Sequence, residues 1–204
     1  MEKVIHDPLH GSIAVGGIFL KLLSRHEMQR LHNVKQLGMA NAVFPGANHT
    51  RLEHSLGTYH LAGRMGKALS LSNDDLRHVC AAALLHDVSH LPYSHNLSDL
   101  FENRMGTDHM EMARQLIKGT IPTYSERDRD MLDGTGTISE LLESEGISAD
   151  TVCDLIANPK SDAKGLDAFM SSGDKQAFFS SKDYLHQMIH GPVDADQMDY
   201  LLRD

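Results

Sequence analysis

One segment constrains this chain more than any other. Val79-Cys80-Ala81-Ala82-Ala83-Leu84-Leu85 runs without a polar side chain straight into His86-Asp87. Ser72 in front of it reads as a helix N-cap, and Asp74 and Asp75 fall in the first turn, where the helix dipole favours acids. A helix that ends apolar all round has no solvent face and must lie in the middle of a domain. An ionised carboxylate at the end of so buried a helix is costly unless something pairs with it. A divalent cation is an efficient partner, and adjacent His and Asp could each give it one ligand atom. The plainer reading is a helix-end histidine satisfying carbonyls beside a solvated aspartate.

Other helices must surround this one, and the pattern supplies them. Thr50 and Glu53 form a capping box, and a helix runs from there to about Leu71 with Leu52, Leu56, Tyr59, Met65 and Leu69 available for its inner face. Residues 1–16 read as a small hairpin turning near Gly11. Residues 18–34 carry a 3.6-residue apolar stripe and read as a helix with room for a break near Ser24. Gly38, Pro45 and Gly46 punctuate an irregular link. A loop follows the His-Asp pair over 88–98, and further helices are expected at 95–104, 108–118, 149–158, 175–190 and 194–204. Residues 119–148 leave room for short helices or a loop, and 160–174 read as a linker. The sum is an all-α domain with a small N-terminal β-hairpin, one domain over 1–204 with 119–180 as a variable insertion.

Composition narrows the function. The 204 residues suffice for one core, and no apolar run approaches the 18 or more residues that span a bilayer. The start, MEKVIHDPLHG, lacks the zones of a signal peptide, so a cytoplasmic protein is expected. Cys80 and Cys153 are too few and too far apart for a disulfide framework and read as buried core residues. A net charge of -9 with no basic block argues against nucleic acid as the main partner. It leaves room for an anionic small molecule, since a metal reverses the field inside a pocket. There are 14 histidines, and more than half fall between His49 and His109. Histidine is the commonest metal ligand and a frequent acid or base.

His54 lies upstream on its own capped helix, and His90 and His95 follow in HDVSHLPYSH. HTRLEHSLG, then LLHDVSHLPYSH, then VDADQMDYLLRD resembles the HD-superfamily metal-dependent phosphohydrolases. The nearest resemblance is to the deoxynucleoside triphosphate triphosphohydrolase (SAM-and-HD-domain) group. DPLHG, QRLHNVKQLG and VFPGANHTRLEHSLG extend it over residues 5–117, and it covers 190–204 as well; 119–180 does not match. The resemblance implies an HD-domain helical bundle whose metal is held by His54, His86, Asp87 and Asp196. Asp194 and Asp199 compete for the last place and rank lower by position in the motif. Two imidazoles and two carboxylates suit Fe, Mn, Co, Ni or Zn better than Mg alone. Such an ion would act as Lewis acid and activate water at neutral pH.

The same resemblance places His90 and His109 at the phosphates, for contact and proton transfer, and His95 as general acid toward the leaving oxygen. Arg51 matches a phosphate-gripping arginine; its alternative is a solvated arginine at the helix start. Gln36, Leu37, Tyr200 and Asp204 match residues that line the sugar pocket, and Tyr200 could also be a plain core aromatic. One departure stands out: the family carries Lys after the last metal aspartate, where this chain has Gln197. That removes a cation from the phosphate site. The expected activity is hydrolysis of a dNTP to deoxynucleoside and triphosphate, on a nucleotide partner, with homo-oligomers within the family's range. The alternatives are another nucleotide phosphomonoesterase or phosphodiesterase, a non-catalytic metal- or nucleotide-binding module, and, with least support, a diiron oxygenase.

Overall fold

The structure, a computed structural model, describes residues 2–94, 97, 104, 106, 109–121, 136–157 and 183–204. Strands β1 (Glu2–Asp7) and β2 (Gly11–Gly16) form an antiparallel hairpin in which Asp7 faces Gly11 and Glu2 faces Gly16. Gly11 sits at φ +72°, the left-handed backbone that closes this short turn without a side-chain clash. Ile13 and Val15 point inward, and their neighbours face solvent.

Residues 18–34 are not one helix. Helix α1 (Gly17–Leu23) stops at Ser24, whose hydroxyl donates back to the Leu20 carbonyl. Arg25 is extended, and its guanidinium binds Glu27 and the Gly136 carbonyl. Helix α2 (His26–Gln29) and a 3-10 turn (Arg30–Asn33) then continue the path. The apolar stripe survives the break because Leu22, Leu23, Met28 and Leu31 all still reach the core. Pairing at the two ends of the 34–50 link ties it down: Gln36 N–H donates to His49 O, and Arg51 N–H to Val34 O.

Helix α3 (Arg51–Ala68) begins with the expected capping box, in which Thr50 accepts from Glu53 N and Glu53 reaches back to Thr50 N. Helix α4 (Asn73–Leu85) is capped by Ser72, and every residue from His78 to Leu85 is buried. It packs on α3, on α1, and on the helix Ala149–Ile156 of the second half. Gly66 of α3 leaves room for Leu76, which a β-carbon would meet at 2.5 Å. The second half contributes α5 (His109–Ile117), α6 (Ile138–Ser144), α7 (Ala149–Ile156), α8 (Asp183–Gln187) and α9 (Ala195–Arg203). Helix α9 lies against α3. The fold is therefore helical with one small hairpin, as expected. Helix α6 falls in the stretch read as short helices or loop. The helix read over 95–104 and the linker over 160–174 lie largely or wholly outside the described residues. Cys80 and Cys153 are free and buried. Among the described residues no helix is long and apolar enough to cross a membrane.

Candidate metal centre

The C-terminal end of α4 and the first turns of α3 and α9 meet at one point. His54 is buried on α3; His86 and Asp87 are buried where α4 ends, with His86 as its last helical-geometry residue. Each of these three offers a ligand atom, and the three atoms lie within 4.8 Å of one another. His54 Nε2 and His86 Nε2 face each other at 3.2 Å. Asp87 Oδ1 is 3.6 Å from His86 Nε2, and its Oδ2 is 4.0 Å from His54 Nε2. Asp196 enters from α9, with Oδ1 at 2.8 Å from His54 Nε2 and 3.7 Å from His86 Nε2.

The three acids of the last motif take different tasks. Asp194 caps α9, accepting from Gln197 N, and its other oxygen accepts from Gly191 N. Asp196 faces the Nε2 atoms. Asp199 stands behind His54 and accepts from its Nδ1 at 2.8 Å.

Those outer hydrogen bonds decide which cation chemistry the site fits. His86 Nδ1 donates to the Ala83 carbonyl at 2.8 Å, and His54 Nδ1 donates to Asp199. A neutral ring held this way presents Nε2 as a lone pair, and two such lone pairs at 3.2 Å repel unless a proton or a metal ion lies between them. The donor set therefore fits a metal. With protons alone to balance the carboxylates, burial works against charge on His54. The bonds to Asp196 and Asp199 and the field of Asp87 outweigh it and raise the pKa to about 10. Asp87 is held well below the usual carboxylate range: burial pushes it up, but His86, Arg51 and His90 pull it down further. Asp196 is lowered by the His54 bond against its own burial.

Arg51 is neither solvated nor a mere helix-start residue. It is 1% exposed, and its Nη1 donates to Asp87 Oδ2 at 2.6 Å and its Nη2 to Ser94 Oγ at 3.0 Å. His90 Nε2 lies 3.1 Å from Asp87 Oδ1, and its ring stacks on that of His109 at 5.1 Å between centroids. Burial lowers the His90 pKa, which Asp87 only partly offsets. Ser89 Oγ donates to the His109 carbonyl and draws α5 to this spot. His95 lies outside the described residues.

Gln36 is buried and Leu37 half-buried. His49 connects this pair to the last helix: its carbonyl accepts from Gln36 N, and its Nε2 is 2.9 Å from Asp204 Oδ1, without the alignment of a hydrogen bond. Tyr200 is half-buried on α9. A cleft of about 290 Å³ opens beside Gln36 and Leu37, lined by Asn33, Lys35, Met39, Asn41 and Tyr93 among others. None of the four ligand candidates lines it, so the cleft is not itself the metal site.

Several participants were not singled out from the sequence. Arg30 reaches the carbonyls of His90 and Val88 and so fixes the backbone just after the His-Asp pair. His10 and Arg203 both bind Asp199. His186 and His190 lie with tilted rings 5.5 Å apart, each with a buried Nε2 that has no hydrogen-bond partner among the described residues. DPLHG, QRLHNVKQLG and VDADQMDYLLRD hold part of this outer layer, and nothing in their spacing said what those residues touch.

The fold and site define a class: a helical domain in which a His, a His-Asp pair and a distant Asp converge on one point. The HD domain family profile matches residues 51–203, and the chain belongs to that family. It is 31% identical over 99% of its length to the deoxynucleoside triphosphate triphosphohydrolase SAMHD1 of Bos taurus, covering 35% of that protein. A hypothetical protein of Aquifex aeolicus superposes with a TM-score of 0.70 at 31% identity, over 100% of this chain and 46% of the other. The phosphohydrolase BT4208 of Bacteroides thetaiotaomicron superposes at 0.64 and 27% identity, over 98% and 40%. The chain thus spans about a third of the SAMHD1 length.

Proposed function

We propose that this chain is a metal-dependent phosphohydrolase acting on nucleotides, with a dNTP split into deoxynucleoside and triphosphate as the favoured reaction. The observation that carries the reading is the facing pair of imidazole Nε2 atoms, each ring held from behind by a hydrogen bond at Nδ1, with Asp87 and Asp196 beside them. In this reading His54, His86, Asp87 and Asp196 hold an Fe, Mn, Co, Ni or Zn ion, with Mg as an additional partner. When bound, such an ion supplies Lewis acidity toward a phosphate oxygen and activates water. The dNTP assignment is supported by the activity for which the SAMHD1 relative is named.

The chain's own groups do the remaining tasks. His90, held by Asp87 through Nε2, contacts phosphate or moves a proton, and His109, stacked on it, faces the same group. His95 serves as the general acid toward the leaving oxygen. Arg51 neutralises Asp87 and contacts phosphate from beside it. Gln36, Leu37, Tyr200 and Asp204 line the sugar, with His49 joining the two halves.

One observation favours a second reading, a nucleotide phosphomonoesterase or phosphodiesterase. The Gln197 side chain donates to the Gly191 carbonyl and brings no cation to the site. A single assay separates the readings. Metal-loaded protein is incubated with each dNTP, with monophosphates and with cyclic dinucleotides, and products are resolved by ion exchange. Triphosphate release from a dNTP is expected; no product from any of these would end both readings. Metal analysis accompanies it: wild type should carry stoichiometric metal, and His86→Ala should lose it.

A further inference from the structure

The turn Asp7-Pro8-Leu9-His10-Gly11 is far from the His-Asp pair in sequence yet ends on the same site. Asp7 Oδ1 accepts from Leu9 N at 2.9 Å and from His10 N at 2.8 Å, which fixes the turn and the direction of the His10 ring. His10 Nε2 then reaches Asp199 Oδ1 at 2.6 Å. Asp7 Oδ2 accepts from Arg203 Nη1 at 2.9 Å. Arg203 in turn gives Nε to Asp199 Oδ2 at 2.7 Å and Nη2 to Asp199 Oδ1 at 2.9 Å. With the bond from His54 Nδ1, each oxygen of a carboxylate that is 0% exposed accepts twice. Helix α3 leaves space for this group at Gly57, one turn after His54, where a β-carbon would stand 1.8 Å from Asp199 Oδ1.

We propose that Asp199 and His10 are positioning residues for the cation site. Asp199 keeps the proton on His54 Nδ1 and so aims Nε2 at His86. The N-terminal turn, through His10 and through Asp7 on Arg203, holds Asp199 in place. A carboxylate behind a ligand histidine fixes its ring and makes it a stronger donor. The hairpin is by this account part of the metal site, although none of its side chains is among the four proposed ligands. The inference rests on His54 being a metal ligand, as proposed above. The competing account is that the cluster only fastens α9 to the hairpin.

The test uses the full chain and two readouts. In Mn²⁺ titrations against a chelating dye, Asp199→Asn should weaken binding roughly 10–100-fold, the usual effect of losing such an outer partner. His10→Ala should shift it the same way by less, and His10→Gln, whose amide can still reach Asp199, should restore it. In ¹⁵N-histidine NMR of metal-free protein, the His54 Nδ1–H signal should be sharp in wild type and displaced or exchange-broadened in Asp199→Asn and His10→Ala. Folded variants with wild-type Mn²⁺ affinity would overturn the proposal. Should wild type itself take up no Mn²⁺, the metal reading fails, and the NMR comparison decides the inference: a signal identical in all three proteins overturns it. Should Asp199→Asn not fold, His10→Ala carries both readouts.

Discussion

Replacing Asp87 with alanine should weaken the fold even where no metal is present. Arg51 is 1% exposed, and the Asp87 carboxylate 2.6 Å from its Nη1 is its counter-charge. Removing one partner of a buried pair leaves the other charge uncompensated and costs about 3–5 kcal/mol. Domains of this kind are stable by about 5–15 kcal/mol, so the loss is a large fraction of the whole. Arg51→Met should cost less, because Asp87 keeps His90 Nε2 at 3.1 Å. The double variant Arg51→Met, Asp87→Ala should recover much of the single loss, since an apolar pair carries no stranded charge. The assay is urea unfolding followed by circular dichroism, with chelator present throughout so that metal binding cannot contribute. A loss under about 1 kcal/mol for Asp87→Ala, the range of exposed pairs, would show that the guanidinium is hydrated and would refute the reasoning.

Two further outcomes follow from the fold. Leu84 is 0% exposed in the last turn of α4, and Leu84→Ala should cost about 2–5 kcal/mol in the same urea assay; a negligible change would contradict the central place of that helix. Asp7 is raised by burial but lowered more by Arg203 and by the His10 and Leu9 N–H groups, so its folded pKa is net depressed. A depressed carboxylate gives stability that is present above its unfolded pKa and lost as pH falls through the folded one. Asp7→Asn should therefore flatten the acid limb of a stability–pH profile below about pH 4, and an unchanged limb would count against the Asp7–Arg203 pair.

What could be read in advance was what depends on near neighbours. The Thr50/Glu53 box and the Ser72 cap each involve partners three residues apart, and both stand in the structure. The apolar end of α4 could belong only in a core, and the hairpin turn was set by Gly11. The break after α1 was not decided by the stripe, because both halves keep their apolar side chains inward; Arg25 turns away to meet Gly136, over a hundred residues later. Asp199 shows the limit most clearly. It lies 145 residues from His54 and 189 from His10, and its spacing from Asp194 and Asp196 does not say which acid faces which nitrogen. Arg51 was read toward a phosphate, and no local pattern could show that its Nη1 lies on Asp87.

Helix α9 has a consequence for the order in which a newly made chain becomes competent. His54 and His86 leave the ribosome long before Asp196 and Asp199. Until then the two rings have Asp87 as their sole acidic neighbour among the groups that later share the centre, and His54 has nothing behind its Nδ1. In the proposed reading cation capture is therefore tied to the later docking of α9 on α3, and the hairpin waits, with His10 and Asp7, for a helix made well after it to close the circuit.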